Sequence, residues 1–157
     1  MKKETIFLKL ALLGIGLPVV LLCIFALPNL YRDAFEAFPD FWVTPIAVVM
    51  YASVLPLLFA LFQAYKLLTY IDGQKAFSDA SVVAIKRIKS NAMSISLLYV
   101  IVLPFFYFIS DLDDAPGFMV IGLFFAGAPY VIAVFAAVLQ KLLNQAIQLK
   151  SENDLTI

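Results

Sequence analysis

Four apolar runs, at roughly 5–28, 41–69, 92–110 and 117–147, dominate this chain of 157 residues, and they decide which solvent it can fold in. Each is close to or longer than the roughly 20 apolar residues that a helix needs to cross a hydrocarbon core about 30 Å thick. With 64% of its residues hydrophobic, a soluble domain of this length has no interior large enough to hide them. The runs predict an all-α fold, a four-helix transmembrane bundle. Segment 70–91 would join the second and third spans, and 148–157 would form a tail. What remains between the spans is too short for a second domain, so residues 1–157 read as a single integral membrane domain.

Basic residues give the bundle a direction. With the N-terminus placed inside, ten of the eleven fall on the cytoplasmic side: Lys2, Lys3, Lys9, Lys66, Lys75, Lys86, Arg87, Lys89, Lys141 and Lys150. Only Arg32 falls outside, where it faces Asp33, Glu36, Asp40, Asp111, Asp113 and Asp114. This asymmetry predicts a multi-pass protein of the bacterial cytoplasmic membrane with both termini inside. Contact with anionic lipid accounts for much of the inner charge. Lys2 and Lys3 before an apolar run also open a signal peptide, but the run is too long and no small-residue cleavage site follows. Leu22 before Cys23 does not fit a lipobox. One cysteine cannot form an internal disulfide.

Local signals refine the picture. Pro28, Asn29 and Pro39 are expected to break helix between the first two spans, with Tyr31, Phe35, Phe38, Phe41 and Trp42 supplying an interfacial aromatic belt and a short surface helix. Lys9 is expected to snorkel to the headgroups. Asp72-Gly73 reads as a helix stop, and Ser78 as the N-cap of a helix starting at Asp79. Val82, Ile85 and Ile88 recur every third residue opposite Lys86 and Lys89, an amphipathic basic segment leading into the third span. The fourth span is expected to emerge into the cytoplasm as a helix through Lys150, ending in a polar, mobile tail.

Chemistry is sparse. The chain has no histidine, and the apolar spans hold no Asp or Glu. Proton-coupled pumps depend on such intramembrane carboxylates. No P-loop, nucleotide fingerprint or metal-ligand spacing is present, so the sequence points to no enzyme, no cofactor and no resident metal. The outer Asp111, Asp113 and Asp114 could offer oxygen ligands to a divalent cation, although acidic outer loops follow from topology alone. A proline in each span, Pro18, Pro56, Pro104 and Pro129, can kink its helix, either to shape packing or to serve as a hinge. Gly122, Ala126, Ala133 and Ala137 form a small-residue stripe on the fourth span, suited to close packing within the bundle, with homodimerisation as the competing use. Gln63 and Gln140 suit hydrogen bonding across the bundle or to headgroups.

The inner loop and the ending carry a resemblance. Tyr70–Ser78, Ala84–Lys89, Val134–Asn144 and Lys150–Ile157 resemble the bacterial family called domain of unknown function 2975, and the likeness extends over essentially the whole chain. The resemblance implies a small four-span protein of the bacterial cytoplasmic membrane, encoded beside a small helix-turn-helix regulator of the Cro/C1 type. The family brings no catalytic or binding residues to carry over. The expected function is therefore a non-enzymatic membrane protein that regulates or sequesters such a regulator. Contacts would come from Phe77, Val82, Ile85, Lys86, Arg87, Ile88 and Lys89, together with Glu152, Asn153 and Asp154 of the tail. Direct nucleic-acid binding is not expected, because no recognition helix is available outside the membrane. The alternative is a small transporter, channel or permeability factor. A third reading is an envelope or immunity protein acting within the bilayer.

Overall fold

A computed structural model describes residues 2–156. Met1 and Ile157, with the side chains of Lys2 and Thr156, lie outside the described residues, so the expected positions of the Lys2 charge and of the last tail residue are not addressed by it. Among the described residues the fold is entirely helical. Helix α1 (Lys2–Leu21) passes through a π-helical turn (Leu22–Ala26) into α2 (Leu27–Ala37). Three long helices follow: α3 (Asp40–Asp72), α4 (Asp79–Leu112) and α5 (Pro116–Thr156). Four units are long and apolar enough to cross a membrane, the first being the α1–α2 composite.

Side-chain pairs fix the directions. Lys9 meets Asp72, and Tyr51 meets Cys23, so α1 and α3 run antiparallel. Trp42 stacks on Phe108 and Ser53 bonds Tyr99, which does the same for α3 and α4. Phe106 packs on Phe118 and Ser96 bonds Ala126, completing the alternation with α5. One end of the molecule therefore gathers the first turns of α1, the 73–78 turn and the far end of α5. The other gathers α2, the start of α3 and the turn before α5. They are called here the basic end and the acidic end.

The helices pack in chain order. The extensive interfaces are α4 with α5 and α3 with α4, while α1 lies more lightly against α3. Among the described residues, α1 forms no comparable interface with α4 or α5, nor does α3 with α5. The arrangement is an open row with α4 at its centre. Accordingly α4 carries Val102 at 2% exposure and buried Tyr99, Phe106 and Ile109, whereas the apolar side chains of α1 are almost all exposed. In lipid, exposed leucine costs nothing, so close packing and interhelical hydrogen bonds hold the row together. Gly122 shows how close the approach is: a Cβ there would stand 2.8 Å from Cγ of Phe106.

The prolines Pro18, Pro56, Pro104 and Pro129 all lie inside helices, as does Pro45. Pro28 is a correction. Helix was expected to break there, yet the chain continues through it. The π turn explains this. Leu27 N–H donates five residues back to Leu22, and Pro28 has no N–H, so the Cys23 carbonyl loses both of its regular donors. Side chains stand in: the Tyr51 hydroxyl donates to the Cys23 carbonyl at 3.4 Å, and the Asn29 amide to the Phe25 carbonyl at 3.1 Å. Helix stops only at Phe38-Pro39. The 151–156 stretch, expected to be a mobile tail, is likewise helical, with no proline or glycine after Pro129 to end α5 earlier.

The C-termini of α3 and α4 close in the same way. After α3, Lys75 N–H bonds the Tyr70 carbonyl at 2.7 Å and Gln74 N–H the Ile71 carbonyl at 3.2 Å. After α4, Ala115 N–H bonds Ser110 at 2.9 Å and Asp114 N–H bonds Asp111 at 3.4 Å. These are Schellman motifs, and their left-handed residues are Gln74 (φ 59°) and Asp114 (φ 49°). Helix α3 does stop at Asp72, but Gly73, with φ −82°, is not the left-handed residue.

Candidate functional site

At the basic end, Ser78 caps α4. Its hydroxyl oxygen accepts from Ser81 N–H at 3.4 Å and donates to the Lys75 carbonyl at 2.5 Å, while Ser81 Oγ donates to the same carbonyl at 3.1 Å. The turn is thereby tied to the first turn of the helix, which begins at the expected residue. Beside it lies an interhelical polar cluster. Asp72 accepts from the Thr5 hydroxyl and pairs with Lys9 at 3.3 Å, and Lys9 sits 4.9 Å from the Tyr65 ring centroid. Lys9 was expected to reach headgroups. Asp72 offers a nearer anion, and both side chains are mostly buried, at 22% and 17% exposure.

The proposed contact residues divide by helix face. Phe77, Lys86 and Arg87 are exposed, as are Glu152, Asn153 and Asp154 on α5. Val82, Ile88 and Lys89 are half-buried. Ile85 is buried at 7%, beside Ala84 and Ser81, so it cannot anchor a partner on the outer face. The three-residue spacing of Val82, Ile85 and Ile88 drifts across the 3.6-residue turn, so the inward stripe runs through 81, 84, 85 and 92 instead. Val83, not singled out in the sequence, is exposed beside Lys86 and Arg87.

The small-residue stripe faces inward. Gly122 and Ala133 are buried, Ala137 is half-buried, and Ala126 is buried with its carbonyl accepting from Ser96 Oγ at 2.7 Å. Ala136, which the four-residue spacing skipped, is also buried. Gln63 is buried, and Gln140 is half-buried.

At the acidic end, residues of α2, α3, α4 and α5 line a partly open apolar cavity of about 580 Å³. Leu30 and Ala34 line it from α2, Val43 and Ile46 from α3, Ile109 from α4, and Phe118 and Ile121 from α5. It occupies the space the open row leaves between α3 and α5. Tyr31, expected in an exposed belt, forms part of the wall at 8% exposure, and its hydroxyl is buried without a hydrogen-bond partner. Among the described residues no three of His, Cys, Asp or Glu, Asp111, Asp113 and Asp114 included, are grouped so as to hold a metal ion.

Comparison with known proteins agrees with the membrane reading. The family model described as "Protein of unknown function (DUF2975)" matches residues 30–157. The chain is similar to the uncharacterized membrane protein YoaS of Bacillus subtilis (strain 168), with 51% identity over 158 residues covering 99% of each chain. No solved structure matches.

Proposed function

For a chain that belongs to the DUF2975 family, and so is a membrane protein with four candidate spans, we propose a non-enzymatic role: docking a soluble cytoplasmic regulator at the basic end. In this reading the membrane is the bacterial cytoplasmic membrane, and both termini lie inside. The partner is a helix-turn-helix protein of the Cro/C1 type, the class implied by the resemblance of the inner loop.

Helix length carries the proposal. At 1.5 Å per residue, the 34 residues of α4 extend about 50 Å and the 41 of α5 about 60 Å, against a hydrocarbon core of about 30 Å. The excess of both helices lies largely at the basic end, where α5 runs on through Gln140, Lys141, Asn144, Gln145 and Gln148. The first turns of α4 therefore project packed against α5, and α5 runs on past them with 148–155 exposed. Exposed Phe77 in the preceding turn, and exposed Val83 one helical turn from Lys86 and Arg87, give this projection apolar anchors near basic side chains, the composition of a protein-binding patch.

Mild-detergent capture of the tagged protein from its own host, with mass spectrometry of what accompanies it, tests the reading. A small helix-turn-helix protein is expected to copurify, and to be lost with Phe77→Ala combined with Lys86→Glu and Arg87→Glu. Recovery of membrane proteins alone, or a partner indifferent to those changes and to deletion of 151–157, would refute it.

A further inference from the structure

The cavity at the acidic end lies far from the proposed docking surface and has features of its own. Its rim carries Asp33 and Asp113, both exposed, and its lining contains no basic residue. Its floor is apolar. Met50 lies ten residues into α3 from Asp40, and Phe125 nine into α5 from Pro116, so the cavity runs about 15 Å inward from that rim. A volume of about 580 Å³ falls within the range of sites that enclose small ligands. Tyr31 adds to the apolar wall, its hydroxyl buried out of reach of the cavity.

We propose that this cavity binds a cationic amphiphile: a molecule with a single apolar body that fills the channel and an ammonium-type head held at the Asp33–Asp113 rim. The shape sets the orientation, with the tail toward Met50 and Phe125 and the head toward the carboxylates. The charge sets the selectivity. Asp33 and Asp113 belong to an end with six acids, Asp33, Glu36, Asp40, Asp111, Asp113 and Asp114, against the single base Arg32. Anionic amphiphiles of the same body are repelled, and neutral ones gain burial without the attraction.

The test uses the full chain in nanodiscs of digalactosyldiacylglycerol, a neutral lipid without an ammonium head, and equilibrium dialysis, with empty discs subtracted. The probes share one chain length: dodecyltrimethylammonium, dodecyl sulfate and dodecanol, all below micellar concentration. Saturable binding of the cation near one per protein is expected, with no saturable excess of the sulfate and weaker binding of the alcohol. Asp33→Asn with Asp113→Asn should weaken cation binding by about fivefold or more, the value of an exposed charge pair near contact. These rim residues are solvent-facing, so that variant remains informative even where the cavity-filling Ala34→Phe does not fold. A folded Ala34→Phe should lose the saturable component. Equal binding of all three probes, absence of saturable cation binding, or wild-type affinity in the rim variant would overturn the proposal.

Discussion

Two glycines of α5 make opposite predictions from the same substitution. Replacing glycine with alanine inside a helix gains about 0.5–1 kcal/mol from reduced backbone freedom. At Gly127 nothing lies within 4 Å of the added Cβ, so Gly127→Ala should show that gain alone. At Gly122 the Cβ would meet Phe106 at 2.8, 3.0 and 3.2 Å. Phe106 cannot swing aside easily: it is 3% exposed and its ring centroid lies 4.9 Å from that of Phe118. Overpacking of this kind costs about 1–3 kcal/mol, which exceeds the propensity gain over most of that range. Gly122→Ala should therefore fall about 1–3 kcal/mol below Gly127→Ala in mixed-micelle SDS titration followed by circular dichroism. Because the propensity gain is common to both variants, the comparison isolates the contact. Phe106→Leu should recover part of the deficit in the Gly122→Ala background, a coupling of about 1 kcal/mol. If Gly122→Ala proves as stable as Gly127→Ala, the close α4–α5 approach is refuted.

Other outcomes follow from the polar contacts and turns. Gln74→Gly and Asp114→Gly should each stabilise the protein by roughly 1 kcal/mol in the same titration, since both sites hold non-glycine residues in the left-handed region. Asp72→Asn should loosen α1 by about 1 kcal/mol, because it weakens the pairing with Lys9 and the contact with Thr5. Faster disulfide trapping of cysteines placed on α1 against a probe outside the row would show it. Ser96→Ala should cost about 1 kcal/mol through loss of the buried bond to the Ala126 carbonyl, and Ser94→Ala far less, because Ser94 only bonds its own helix at Ser90.

Much of the architecture was legible because apolar run length is a strong signal and helix caps are local. The Ser78 cap, the start of α4 and the small stripe on α5 all depend on residues close in sequence. Distant pairing was less visible. Nothing near Lys9 announces Asp72, 63 residues away, so snorkelling was the natural expectation. The helix through Pro28 needed Tyr51 from another helix to donate to the stranded Cys23 carbonyl. Ile85 and Tyr31 were assigned to outward faces because a short window fixes the period of a pattern less well than the neighbours that bury it. The cavity was invisible for a similar reason: it exists only because α3 and α5 stand apart.

The open row also has a temporal meaning. Each spanning helix after the first packs on the span that precedes it in the chain: α3 on α1, α4 on α3, α5 on α4. A nascent chain threading into the bilayer thus meets every lasting interface as soon as the second member of the pair emerges. No early helix must wait, unsatisfied, for a late one. Burial of Ser96 against Ala126 and of Phe106 against Gly122 comes last, so synthesis ends by sealing the most tightly packed seam in the molecule. Truncation before α5 would leave Tyr99, Ser96 and Phe106 facing lipid, an exposure that quality-control proteases can recognise.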